Sequence, residues 1–235
     1  MGTIMIEARL YELLSWMSPA WPIGAFAHSS GLEWAVEQGH VTCRDGATAW
    51  IADLIAHGAI GNDAVLFVHA WRAAQADDRE RLVEVAELAA AAQTSLDRRL
   101  EATAQGAAFR RIALAACEES GFAARLAAVD DDDLTYPVAA AVLFACHGID
   151  LRAGLTAWLH GAAANLVSAA QRLVPLGQTD GQKVLRALRE PVFAAVERCV
   201  ALPDGEPFEA LGGCALLAEL ACMAHETQYT RLFRT

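Results

Sequence analysis

Apolar residues recur three and four positions apart along almost the whole chain, and this spacing restricts its fold more than any other feature. Residues at that spacing lie on one face of an α-helix. The clearest stretch is 151–173, whose apolar positions include Leu151, Leu155, Trp158, Leu159, Ala162, Leu166 and Leu173. Alternating β-branched runs are nearly absent, and alanine, the strongest helix former, is abundant. The sequence therefore predicts an all-α protein.

Helix start and stop signals predict a single-domain helical bundle of nine or ten helices over residues 1–235, since no repeat or low-complexity linker divides the chain. Pro137 and Asp150 are predicted at helix starts, and Asp63 is predicted to cap another helix. Three pairs have the spacing of a capping box, namely Ser30 with Glu33, Thr42 with Asp45, and Thr179 with Gln182.

The charge balance restricts the possible partners. Lys and Arg number 18 and Asp and Glu 29, which gives a net charge of -11. Nucleic acid and anionic lipid are therefore improbable partners, and a neutral or basic protein fits better. The longest fully apolar run, Pro137 to Cys146, is about half of what a membrane span needs, and no signal peptide opens the sequence. A cytoplasmic protein with no membrane contact is expected.

Metal and disulfide signatures are missing from the sequence. The six cysteines form no CxxC pair and are predicted to be reduced core residues, and the seven histidines form no HxH or HxxxH pair. The segment HETQY at 225–229 has half of a zinc-protease motif, but Tyr229 stands where the second histidine belongs. His225 and Glu226 are instead predicted to be hydrogen-bonding groups at a helix terminus, or part of a partner surface.

Catalytic signatures are equally incomplete. GQTDGQKVL at 177–185 lacks the hydroxyl that follows the lysine of a phosphate-binding loop, and His28, Ser29 and Ser30 lie in no GxSxG turn. No pair of carboxylates stands out as an acid and a base. We therefore predict that the protein is not an enzyme and carries no cofactor and no metal.

Two segments have the composition of protein-contact surfaces. In SPAWPIGAFAHSSGLE, residues 18–33, prolines stiffen the backbone, Gly24 permits an unusual turn, and Trp21, Ile23 and Phe26 are apolar anchors. In HETQYTRLFRT, residues 225–235, arginines flank an aliphatic and an aromatic residue, which is typical of interfaces. This second segment can also fold back on its own core, and the two roles are compatible.

Three stretches resemble, in order and spacing, three signature regions of the urease accessory protein F family, UreF: SPAWPIGAFAHSSGLEWAVEQGHV at 18–41, RLVPLGQTDGQKVL at 172–185 and HETQYTRLFRT at 225–235. Weaker similarity in RRLEATAQGAAF and YPVAAAVLFACHGI extends the resemblance over nearly the whole chain. The family commonly ends in Ser, where this sequence has Thr235.

The resemblance implies an all-α, non-catalytic scaffold with a docking tail over about 225–235. Such a protein binds the accessory protein UreD (UreH in some organisms) and, through it, the GTPase UreG, so that nickel reaches apo-urease; a homodimer in the complex is implied as well. Two alternatives are a GTPase-activating protein for UreG and a nickel-binding metallochaperone. The predicted partner-contact residues are Pro22, Gly24, Phe26, Ser30, Glu33, Gln178, Asp180, Gln182, Lys183, Tyr229, Arg231, Phe233 and Arg234.

Overall fold

The computed structural model describes residues 2–117 and 121–235, with side chains from residue 6 onward. Within these residues the chain forms α-helices, one short 3-10 helix at Ala25–Ala27 and no strand, so the all-α prediction is confirmed. Ten helices have ten or more residues, in agreement with the predicted nine or ten, and three are shorter. Their bounds are α1 Gly2–Trp16, α2 Leu32–Glu37, α3 Arg44–Ala56, α4 Ala59–Ala76, α5 Arg79–Ala91, α6 Leu96–Ala116, α7 Phe122–Leu126, α8 Tyr136–Cys146, α9 Leu151–Leu173, α10 Gln178–Ala187, α11 Arg189–Val200, α12 Pro207–Ala210 and α13 Leu216–His225.

Helices α4 and α8 form the centre of the bundle. Every residue of α8 from Tyr136 to Ala145 is buried, as expected for a helix that is apolar on all sides. Helix α4 packs against it, and α3, α5, α6, α9 and α11 surround the pair. Gly106 lets α6 pass directly beside the chain before α8, because a Cβ there would overlap the carbonyl oxygen of Leu134.

A smaller apolar cluster lies at one end of α9 and includes Phe233 from the tail, residues 225–235. Its other members come from α2, α3, α9 and the segments that flank α2 and α9, and are Leu32, Ala35, Val41, Ala47, Ala169, Ala170 and Val174. The tail therefore completes part of the hydrophobic core. Burying a phenylalanine side chain stabilises the fold by roughly 1.5–3 kcal/mol relative to an exposed one.

The structure corrects several predicted helix starts. Asp150 caps α9 by accepting the Ala153 N–H, and Pro137 lies in the first turn of α8, as predicted. Asp63 does not cap a helix, because it lies inside α4, which begins after Gly58. The three predicted capping boxes are also wrong. Ser30 and Thr42 lie one residue before the capping positions of α2 and α3, which are Gly31 and Cys43. Thr179 lies inside α10, whose capping position is Gly177.

The cysteines match their prediction in part. All six are free, but Cys43 and Cys214 are exposed, Cys117 and Cys146 are half-buried, and only Cys199 and Cys222 are buried core residues.

One stretch, Arg44–Ala76, is long and apolar enough to cross a membrane by length and composition alone. It comprises α3 and α4, and 67% of its most apolar window is buried inside the bundle. Such burial is typical of the core helices of a globular protein.

Candidate functional site

The loop before α2 turns sharply at two glycines and leaves one large apolar side chain in solvent. Gly24 and Gly31 have φ angles of 77° and 78°, a region that glycine adopts without strain. Trp21 and Ile23 pack partly against the main core, whereas 71% of Phe26 is exposed. Of the three predicted apolar anchors, Phe26 is therefore the one most accessible to a partner.

The tail lies along this loop and pairs with its backbone. The Arg234 N–H donates to the Ala27 carbonyl at 2.8 Å, and the Ser29 N–H donates to the main-chain oxygen of Thr235 at 2.7 Å. The Ser29 hydroxyl donates to the same oxygen at 3.0 Å, and His28 Nδ1 lies 2.7 Å from the Thr235 hydroxyl. Burial lowers the pKa of His28 below its ordinary value, so this imidazole is neutral at pH 7.

Glu33 of α2 holds the tail backbone with both carboxylate oxygens. One accepts the Leu232 N–H at 2.6 Å, and the other accepts the Phe233 N–H at 2.9 Å and lies 3.1 Å from His225 Nε2. The residue is only 7% exposed. Hydrogen bonds from backbone N–H groups to a buried carboxylate are charge-assisted and are stronger than neutral ones.

His225, the last residue of α13, joins Glu33 to α6. Its Nδ1 lies 2.7 Å from a carboxylate oxygen of Asp97, and the residue is fully buried. Both ring nitrogens of His225 therefore lie within hydrogen-bonding distance of a carboxylate oxygen. Glu226 accepts the Leu96 N–H at 2.8 Å. The prediction that His225 and Glu226 are hydrogen-bonding groups at a helix terminus is confirmed.

A second buried ionic cluster lies beside the first and contains Arg98. Its guanidinium donates to Asp63 at 3.1 Å, to Glu101 at 2.9 Å and to the Ser30 hydroxyl at 3.2 Å. Burial alone would lower the pKa of Arg98, but the carboxylates of Glu101 and Asp63 outweigh it and raise that pKa. Burial raises the pKa of the Asp63 carboxyl, against the opposing effect of Arg98.

The predicted contact residues fall into three groups by exposure. Side chains of Ser30, Glu33 and Phe233 are buried, and the Arg172 guanidinium covers the Phe233 ring at 4.2 Å from its centroid. The half-buried members are Gly24 and Asp180, and the exposed members are Pro22, Phe26, Gln178, Gln182, Lys183, Tyr229, Arg231 and Arg234.

The α10 members of the set make their polar contacts with neighbouring residues rather than with the tail. Lys183 pairs with Asp180 at 3.5 Å, and Gln178 accepts a hydrogen bond from Gln171 at 3.3 Å. No hydrogen bond or ion pair found in 2–117 and 121–235 joins this group to the tail. The polar contacts of the described residues therefore do not link the two groups.

Sequence reasoning assigned no role to Asp63, Asp97, Arg98 or Glu101 in this site. Arg98 and Glu101 have the three-residue spacing of a helical ion pair, and this was the available signal. The other carboxylate partner of Arg98, Asp63, lies 35 residues away along the chain. Such pairing cannot be read from local spacing.

Exposed apolar side chains lie on α6, on α13 and on the docked tail itself. We call this surface the tail-side patch, and its members are Leu96, Leu100, Leu216, Leu217, Leu220, Met223, Tyr229 and Leu232, each at least 44% exposed. Helices α6 and α13 are in contact, and both adjoin the tail through the Asp97, His225 and Glu33 hydrogen bonds. Exposed apolar side chains that cluster on neighbouring elements are typical of protein-association sites.

The fold and this site define an all-α protein with an internally anchored tail beside an apolar surface, an arrangement typical of a protein-interaction module. In the part of the chain that the structure describes, no three His, Cys, Asp or Glu side chains are grouped so that they could hold a metal ion.

Comparison with known proteins places this module in a family. The UreF family model matches residues 41–189. The chain is 47% identical to the urease accessory protein UreF of Rhodopseudomonas palustris (strain BisB5) over 97% of this chain and 92% of that protein. It is 46% identical to the urease accessory protein UreF of Bradyrhizobium sp. (strain ORS 278), over 97% of this chain and 92% of the relative. The chain belongs to the UreF family of urease accessory proteins.

Proposed function

We propose that this protein is a non-catalytic scaffold of urease maturation in the cytoplasm. It binds UreD, called UreH in some organisms, through the tail-side patch, and the resulting complex recruits the GTPase UreG so that nickel reaches apo-urease. The observation that carries this proposal is the anchoring of the tail by Glu33, His225 and the 27–29 backbone directly beside exposed leucines.

The anchored tail gives the patch a fixed shape before any partner arrives. Preorganised surfaces lose less conformational entropy on binding than flexible ones. We assign Ser30, Glu33 and Phe233 to positioning the tail, because their side chains are buried. Direct contact is assigned to exposed side chains such as Tyr229 and Arg231. Tyrosine and arginine are the residue types that often dominate binding energy at interfaces.

Replacing Leu220 by aspartate tests the patch. This side chain is 50% exposed on α13, so a charge there is expected to leave the fold stable but to disrupt an apolar contact. We expect at least a tenfold loss of affinity for UreD, which corresponds to about 1.4 kcal/mol. The measurement is co-purification from co-expression with UreD, followed by titration of the purified proteins.

Phe208→Asp is the matched control for this variant. Phe208 is 72% exposed, but it lies on α12, outside the patch. It is expected to bind UreD like the unchanged protein. Equal retention of UreD by Leu220→Asp and Phe208→Asp would refute the assignment of the patch.

A second apolar surface supports a homodimer within the complex. Helices α1, α9, α10 and α11 line a groove of about 920 Å³, and Leu10, Leu14 and Phe193 on its walls are 54%, 64% and 44% exposed. Only part of the apolar face of α1 is buried in the chain's own core, since Leu13 is buried and its neighbours Leu10 and Leu14 are not. Gln182, one of the predicted contact residues, also lines the groove.

A twofold interface joins the same surface of both copies, and an apolar groove with exposed apolar side chains on its walls suits such a contact. We therefore assign the groove to a second copy of this chain. Leu14→Asp is expected to halve the copies of this protein in the UreD complex, as measured by light scattering. Tyr11→Asp is the control, because Tyr11 is 74% exposed on α1 and does not line the groove. An unchanged mass for Leu14→Asp would exclude this interface.

A further inference from the structure

His28 is a buried histidine where the docked tail meets the loop that precedes α2. The residue is 5% exposed, and its Nδ1 lies 2.7 Å from the Thr235 hydroxyl. The main chain on both sides of it also bonds to the tail, through the Ala27 carbonyl and the Ser29 N–H. Thr235 is 1% exposed, so the imidazole and this tail residue are buried against each other. Release of the tail would therefore open His28 to water.

The His28 ring contacts no carboxylate that could balance a positive charge. Within residues 2–117 and 121–235 its hydrogen-bond partner is the neutral hydroxyl of Thr235, and the histidine ion pairs found there involve His147 and His225. Titratable and charged groups face it from three helices and from the tail. They are Asp97, Arg98 and Glu101 of α6, Asp63 of α4, Tyr136 of α8 and Arg234 of the tail.

These surroundings disfavour a charged imidazole. Burial has the largest effect, because it removes the water that would solvate an imidazolium. Glu101 and Asp97 attract a proton to the ring, and they do not offset burial. Arg234 and Arg98 repel that proton, so the pKa of His28 in the docked state lies below its ordinary value of 6.5. Release of the tail returns water to the ring and carries Arg234 away, which moves this pKa back toward 6.5.

We propose that His28 makes the docking of the tail sensitive to pH, so that uptake of one proton by its imidazole favours release of residues 232–235 below about pH 6.5. The imidazole binds a proton more tightly in the released state than in the docked one. Docking is therefore strongest above pH 6.5 and weakens as the pH falls toward the pKa of the docked state. This inference concerns the attachment of the tail and does not depend on the proposed partners.

Hydrogen exchange of the tail amides in the full-length protein measures the docked population across this pH range. The Leu232 and Phe233 N–H groups bond to Glu33 only in the docked tail, and protection factors divide out the intrinsic pH dependence of exchange. We expect both factors to fall about three- to tenfold from pH 7.5 to pH 5.5, because one proton can shift the equilibrium by at most about tenfold here. Equal protection at the two pH values would overturn the proposal.

Two variants assign the effect to His28. In His28→Gln the side chain still offers a hydrogen bond to Thr235 but does not titrate, so the tail protection is expected to change less than about twofold over the same range. His40→Gln is the matched control, because His40 is exposed and stacks on Trp34. It is expected to keep the full pH dependence. An undiminished pH dependence in His28→Gln would assign the effect to other groups and overturn the proposal.

An NMR titration of the His28 ring gives a second test that does not rely on a histidine variant. The imidazole of the unchanged protein is expected to titrate below pH 6.5. In Glu33→Gln, which removes a carboxylate that holds the tail backbone, the titration of His28 is expected to move up toward pH 6.5. A midpoint at or above 6.5 in the unchanged protein, or one that stays the same in Glu33→Gln, would contradict the coupling.

Discussion

Replacement of Arg98 by methionine is expected to lower the free energy of unfolding by about 3–5 kcal/mol, the usual cost of removing one partner of a buried ion pair. The reason is that Arg98 is the cation shared by Asp63 and Glu101, and both carboxylates would lose it inside the bundle. Asp63 is only 5% exposed. For a chain of this size the midpoint of thermal unfolding should fall by about 6–20 °C. Chemical denaturation and calorimetry measure the two quantities.

Arg99→Met is the matched control, since Arg99 is the next residue on the same helix. Its side chain is 48% exposed and lies 3.7 Å from Asp133, a surface pair expected to contribute less than about 1 kcal/mol. A similar loss of stability in both variants would contradict the assignment of a buried network. A triple variant with Arg98→Met, Asp63→Leu and Glu101→Met is expected to recover part of the loss, because it leaves no unpaired carboxylate.

Replacement of Glu33 by glutamine is expected to release the tail from the body of the protein. Glutamine offers one acceptor oxygen to three donors that now share a carboxylate, and its NH₂ group would face an N–H donor. We expect a loss of about 3 kcal/mol from the buried charge and its hydrogen bonds. Phe233 would leave its apolar cluster, and the bond after Arg231 would become a better trypsin site.

Limited proteolysis with mass spectrometry measures this release as the rate at which residues 232–235 are removed. Glu33→Gln is expected to raise that rate at least tenfold, since about 1.4 kcal/mol changes a population tenfold. Glu37→Gln is the control, because Glu37 is exposed one turn later on the same helix and bonds only to the Gln228 side chain, at 2.5 Å. An unchanged cleavage rate in Glu33→Gln would show that Glu33 does not anchor the tail.

The release also bears on function. If the tail must be ordered for the tail-side patch to bind UreD, Glu33→Gln and a deletion of 232–235 should both lose co-purification with UreD while circular dichroism still shows a helical protein. The Leu220→Asp variant should lose UreD with the tail still protected from trypsin. Together, the two results distinguish the effect of tail ordering on UreD binding from the effect of the apolar side chains of the patch.

Local sequence was sufficient to predict the helical character of the chain, although not every helix start. The stripe that runs from Leu151 to Leu173 became the 23-residue helix α9, with Leu155, Trp158 and Leu159 buried as the spacing predicted. Helical periodicity follows from neighbours within one turn, so a single chain segment contains the necessary information. The motif segments likewise identified the family and the two regions that meet in the site.

The sequence by itself determined an all-α fold, the apolar stripe that became α9 and two of the segments that meet in the candidate site. Only the tertiary structure decided which polar residues are buried: Asp63 pairs with Arg98 inside the bundle instead of capping a helix, and Glu33 binds a tail about 200 residues away. The physical reason is that the sequence around a charged residue can be the same whether that residue lies on the surface or in the interior. Its role depends on whether the folded chain brings a compensating partner to it across a long sequence separation.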